Sequence, residues 1–111
     1  MDPCFLEARE LVQLLAQRQL SARELMAAHL ARIHAVNPRL NAIVGKLPDE
    51  ECLALAARAD ELRARGGRLG ALAGLPWAFK DLEEALGLVC TFGSPIFRDY
   101  RPVADTVLVE R

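Results

Sequence analysis

Apolar positions in the first half of the chain recur at helical spacing. Ala8, Leu11, Val12 and Leu15 fall at i, i+3, i+4 and i+7 and form one stripe. Glu7, Arg9, Glu10, Gln13, Gln17 and Arg18 fill much of the remaining surface, so the pattern predicts a helix over 5–19. Ser21-Ala22-Arg23-Glu24 has the form of a capping box, with Ser21 as N-cap and Glu24 reaching back from the third helical position. A second helix is therefore expected over 22–36, with Met26, Leu30 and Ile33 on its apolar face and Leu25 and Val36 at the margin. Asn37-Pro38 is expected to stop it, because proline pushes the preceding residue out of the helical region. So short a connection favours a helical hairpin. Asp49, Glu50 and Glu51 then place carboxylates where the dipole of a first turn favours them. Cys52, Leu55, Ala56, Ala59 and Leu62 continue at helical spacing, and Gly66-Gly67 closes a third helix over 49–65.

The periodicity then changes. Gly74 and Pro76 punctuate the chain, and Leu75, Trp77, Ala78 and Phe79 make a short apolar run that fits a buried strand over 75–79. Leu88-Val89-Cys90-Thr91 predicts a second short strand over 88–91, and Phe92-Gly93-Ser94-Pro95 is a turn signal. A last helix, over 105–111, begins at Asp105 or its neighbour. Helices followed by short strands make the expected class α/β.

Composition narrows the picture. A chain of 111 residues, 52% hydrophobic and 26% charged, suits one globular domain with a modest core. A net charge of −1 gives no electrostatic footprint for nucleic acid or an anionic membrane. No apolar run approaches the ~20 residues of a membrane span. The start, Met1-Asp2-Pro3-Cys4-Phe5, lacks the basic and apolar regions of a secretory signal. Cys4, Cys52 and Cys90 are odd in number and far apart, which favours reduced thiols in a cytoplasmic setting. They have no CxxC spacing. His29 and His34, five apart, fall on different helix faces, so no metal site is expected. With no GxGxxG and no GxxxxGK[ST], nucleotide binding has no motif support.

The residue that could carry chemistry is Lys80, which ends the apolar run. An ammonium is costly to bury unpaired, so a lysine at the edge of an apolar pocket is a candidate base. The alternative is a solvated lysine closing a strand beside Asp81. Ser94 reads as a turn serine, and Glu83 and Glu84 as a solvated loop.

Leu72-Ala73-Gly74-Leu75-Pro76-Trp77-Ala78-Phe79-Lys80-Asp81-Leu82 resembles the segment that carries the catalytic lysine in the amidase signature family. Thr91-Phe92-Gly93-Ser94-Pro95-Ile96-Phe97 and Ala104-Asp105-Thr106-Val107-Leu108-Val109-Glu110-Arg111 look like the segments downstream of that lysine in the family. The capping-box helix and Val36-Asn37-Pro38-Arg39-Leu40-Asn41-Ala42 are similar to the family's N-terminal helices. The pieces run in the family's order over nearly the whole chain. Trp77 departs from the pattern, which more often has a smaller aliphatic residue there.

The resemblance implies the first part of a mixed-sheet α/β/α fold. It also implies amide hydrolysis by a Ser–Ser–Lys triad. One serine attacks the carbonyl, a second bridges it to the lysine, and the unprotonated lysine starts the proton relay. Lys80 maps onto that base. The serines map onto nothing: the chain has no Gly-Gly-Ser-Ser-Gly, and Ser21 and Ser94 sit in no such loop. The expectation is a partial amidase domain over 1–111, inactive alone. The parent would be a cytoplasmic hydrolase acting on a small-molecule amide without a cofactor, with room for a homodimer. The alternative is a non-catalytic helical interaction module derived from an amidase N-terminus.

Overall fold

The computed structural model describes residues 1–111, and its regular structure is helical. Four helices, α1 (Ala8–Ala16), α2 (Ala22–Leu40), α3 (Asp49–Ala64) and α4 (Val107–Glu110), are connected by irregular chain, with a 3₁₀ turn before α1 at Pro3–Phe5 and another between α3 and α4 at Pro95–Phe97. The residues gather into two compact units, Met1–Leu40 with Pro48–Pro76, and Asn41–Leu47 with Trp77–Arg111. The chain passes between the units more than once, so no single linker separates them and no composition shift marks a boundary.

In the first unit the helix ends are set by named hydrogen bonds. α1 is shorter than its stripe predicts. Pro3–Phe5 takes a 3₁₀ turn capped by Asp2, whose carboxylate accepts from the Cys4 amide at 2.9 Å. At the other end Arg18 enters the left-handed region at φ 56°, and Gln19 N–H donates back to Leu14 at 2.9 Å while Arg18 N–H donates to Leu15 at 3.2 Å. That is a Schellman closure made without glycine.

The amides of Ser21, Ala22, Arg23 and Glu24, at the start of α2, have no carbonyl partner in the helix, and each donates to a side chain. Glu24 accepts from Ser21 N–H at 2.9 Å, and Ser21 Oγ accepts from Glu24 N–H at 3.1 Å, as the capping box requires. Asp60 of α3 takes the other two, accepting from Ala22 N–H at 2.7 Å and Arg23 N–H at 3.0 Å. α2 does not stop at Asn37-Pro38. It carries Pro38 in its last turn and ends at Leu40, where Asn41 turns the chain at φ 50°. The bias of a pre-proline residue against the helix is a preference and not a prohibition, and α2 runs through Pro38 to end at Leu40.

α2 and α3 pack together. The core of this unit is Leu11, Leu15, Ala22, Leu25 and Ala56, with Leu6, Leu20, Met26, Ala59 and Leu75 packed around it. Leu25 is the centre of the buried face, at 0% exposure, and not its margin. α3 closes as expected: Gly66 at φ 71° lets Gly67 N–H donate to Leu62 at 2.9 Å. A Cβ on Gly67 would stand 2.9 Å from the Leu62 carbonyl oxygen.

The second unit contains no strand, which corrects the α/β expectation for these residues. Trp77–Phe79 has no regular secondary structure, and 88–91 runs from a bend at Leu88 into irregular backbone. A strand is a ladder, and in 88–91 one amide, Cys90 N–H, reaches across to Tyr100 at 3.0 Å. The apolar runs at Leu75–Phe79 and Leu88–Thr91 have strand composition but no segment paired beside them. Ala85, Cys90 and Pro102 are the buried apolar side chains of this unit. Phe92, Phe97 and Tyr100 form an aromatic trio with centroids 5.4–6.2 Å apart. The last helix is one turn, Val107–Glu110, and Asp105 does not cap it. Its carboxylate accepts instead from Leu86 N–H at 2.7 Å.

Candidate functional site

Lys80 is the last residue of an irregular segment, directly before the turn at Asp81–Leu82. The rings of Trp77 and Phe79, two residues apart, stack with centroids 6.2 Å apart. The Lys80 carbonyl then accepts from Leu82 N–H at 2.7 Å and Glu83 N–H at 2.9 Å, so the backbone reverses directly after it. The side chain is exposed. The chain's own residues do not build the apolar pocket that the sequence suggested for it: Trp77 is 59% exposed and Leu82 is exposed as well.

Asp81 makes the site's most specific contacts. One carboxylate oxygen accepts from Thr91 N–H at 2.7 Å, and the other accepts from the Thr91 hydroxyl. Thr91 Oγ in turn accepts from Gly93 N–H at 3.1 Å, and Ser94 N–H donates to the Thr91 carbonyl at 2.9 Å. The central residues of that four-residue turn, Phe92 at φ 50° and Gly93 at φ 70°, both have positive φ, the pattern of a type I′ turn. A phenylalanine there is strained, since L side chains rarely enter this region. The hydrogen bond from the Thr91 hydroxyl, then that from its amide, hold the Asp81 carboxyl below its ordinary value of 3.8, with smaller help from Gly93 and from the Lys80 charge and a small opposing effect of burial. The carboxylate is thus kept ionised and able to accept both bonds.

The remaining candidates resolve into structural roles. Ser94 caps the 3₁₀ turn at Pro95–Phe97, accepting from Ile96 N–H at 3.4 Å. Ser21 caps α2. Glu83 and Glu84 are not a free loop pair: Glu83 accepts from the Thr106 hydroxyl at 2.7 Å and Glu84 from the Tyr100 hydroxyl at 2.6 Å. His29 Nδ1 lies 2.9 Å from the Leu25 carbonyl, and His34 Nε2 lies 2.6 Å from Asp49. The histidines are committed separately. Sequence reasoning missed the Asp81–Thr91 pair. Its signal was weak: an acceptor ten residues before a Thr-Phe-Gly-Ser turn.

Comparison with known proteins adds the lineage. A family model described as Amidase matches residues 24–111. A glutamyl-tRNA(Gln) amidotransferase subunit from Salinispora tropica is 42% identical over 104 residues, covering 94% of this chain and 21% of the relative. The protein of the same name from Granulibacter bethesdensis is 43% identical over 97 residues, covering 87% and 19%. The one from Carboxydothermus hydrogenoformans is 36% identical and covers 100% and 23%. The chain therefore spans about a fifth of the length of these curated relatives. Among solved structures, a chain from a vestigial protein complex bearing on the origins of an s-triazine catabolic enzyme superposes with TM-score 0.84 at 37% identity, covering 95% of this chain and 23% of that one.

Proposed function

The chain belongs to the amidase family, and from that premise we propose that it is the N-terminal part of an enzyme that cleaves carboxylic amide bonds, to which it supplies the general base, Lys80. The observation that carries this reading is the family match across the Leu72–Leu82 segment, with Lys80 at its turn. The relatives' name, an amidotransferase subunit, favours a primary carboxamide as the group attacked and an assembly of several subunits as the working form. Lys80 must be unprotonated to take the serine proton, and a dry apolar surround favours that form. Trp77 and Leu82 offer the exposed apolar surface from which such a surround is completed in the longer parent.

The test is Lys80→Ala in the full-length parent, with amide hydrolysis and melting measured side by side. A general base contributes roughly 10²–10⁴-fold, so the rate should fall by that factor while melting is unchanged. A variant that kept about a tenth of the rate with normal melting would remove Lys80 from the role. One observation favours a second reading, a non-catalytic interaction module. Both serines of the chain are occupied as caps, and Lys80 is exposed. A parent that binds its assembly partners but turns over no amide would support it.

A further inference from the structure

We infer that Asp81, acting through Thr91, is the positioning residue that sets where the Lys80 side chain starts; the inference rests on Lys80 being the base. Lysine is a flexible four-carbon stem, and this one is exposed, so its reach is governed by where its Cα is held. Two constraints hold it. On its own side the turn closes on the Lys80 carbonyl through the Leu82 and Glu83 amides. On the far side the next residue, Asp81, is tied by both oxygens to Thr91, ten residues on. Thr91 does not drift, because it anchors a type I′ turn through the Gly93 and Ser94 amides. The whole arrangement forms a rigid bracket, with Lys80 on one arm and the strained Phe92 turn on the other.

Asp81 is not a counter-ion for Lys80. Its oxygens are committed to Thr91, and the Lys80 charge is the weakest influence on its acidity. Nor would a near relative serve. Asparagine would set an NH₂ against the Thr91 hydroxyl, reversing that bond, and would give up the charge that strengthens both. Glutamate would lengthen the arm by a methylene and move the Lys80 Cα. Valine for Thr91 keeps the shape, but it removes the hydroxyl that donates to Asp81 and accepts from Gly93.

The experiment uses the full-length parent with an amide substrate and measures kcat, KM and melting temperature for Asp81→Asn, Thr91→Val, Thr91→Ser and Lys80→Ala. A displacement of order 1 Å costs up to about a hundredfold, so Asp81→Asn and Thr91→Val should each lower kcat by roughly ten- to a hundredfold and leave KM within about twofold. The Asp81→Asn/Thr91→Val double variant, measured beside them, should be no worse than the poorer single, because the two share one interaction. Thr91→Ser, which keeps the hydroxyl, should restore kcat to within about threefold of the wild type. If Lys80→Ala is dead while Asp81→Asn and Thr91→Val keep wild-type kcat, the base stands and the bracket is refuted. A kcat loss that follows melting temperature and is not recovered by Thr91→Ser also refutes it, since that is the behaviour of a structural bond. Should Asp81→Asn fail to fold, the Thr91→Val and Thr91→Ser pair decides alone. An active Lys80→Ala overturns both this inference and the reading beneath it.

Discussion

At the residue scale, two titratable groups are pushed in opposite directions by hydrogen bonds of opposite sense. Asp81 accepts, so its ionised form is favoured and its pKa is lowered from 3.8. Its contribution to stability is therefore complete above that ordinary value and is lost as pH falls through the lower, folded-state value. Carboxyl NMR should show Asp81 titrating below the ordinary carboxylate range, and Thr91→Val should move it back toward that range. An unmoved signal would mean that Thr91 is not the cause. Tyr100 donates to Glu84, which favours the neutral phenol and raises its pKa above 10.0, with burial and the Glu84 charge adding to the shift. Here stability is complete below the ordinary value and is lost as pH rises through the folded-state one. Phenolate absorbance should appear only beyond the ordinary tyrosine range. Glu84→Gln should bring that onset down.

At the scale of elements, α2 owes its start to two sources that can be separated. Ser21→Ala removes the local cap and should cost about 1 kcal/mol. Asp60→Ala strands the amides of Ala22 and Arg23, one of them at a fully buried residue. Charge-assisted bonds of this kind are worth roughly 1.5–3 kcal/mol, so Asp60→Ala should cost more than Ser21→Ala in denaturant unfolding. The reverse order would make the capping box the dominant cap. The capping box was legible because its partners are three residues apart. Asp60 was not, because it lies 38 residues from Ala22 and reaches it only once α2 and α3 pack. The same logic explains the strands. Leu75–Phe79 and Leu88–Thr91 have the apolar composition of buried strands, but composition cannot supply the neighbour that a ladder needs.

For the whole molecule, the two units differ in what they bury. The first encloses a leucine core in which Leu15 and Leu25 are at 1% and 0% exposure. The second buries Ala85, Cys90 and Pro102 and leaves Trp77, Leu86, Phe92, Ile96, Val103, Val107 and Leu108 exposed. Opening free energies follow such differences in buried contacts, so hydrogen exchange should show stronger protection in α2 and α3 than anywhere in 77–111. A single cooperative exchange class across both units would contradict this. The 111-residue chain alone should turn over no reporter amide, because both of its serines serve as caps. Turnover abolished by Lys80→Ala would show a nucleophile that neither serine accounts for.

The order of residues by itself determined the presence of three helices in the first unit, the caps at Ser21–Glu24 and Gly66, and the family resemblance around Lys80. Each depends on groups a few positions apart, whose spacing a linear reading preserves. Tertiary structure decided the rest: the Asp60 cap, the burial of Leu25, the partners of Glu83 and Glu84, and the bracket from Asp81 to Thr91. These join residues between 10 and 38 positions apart. Their pairing depends on which helix face packs and which turn closes, and those are settled by burial and backbone geometry in three dimensions.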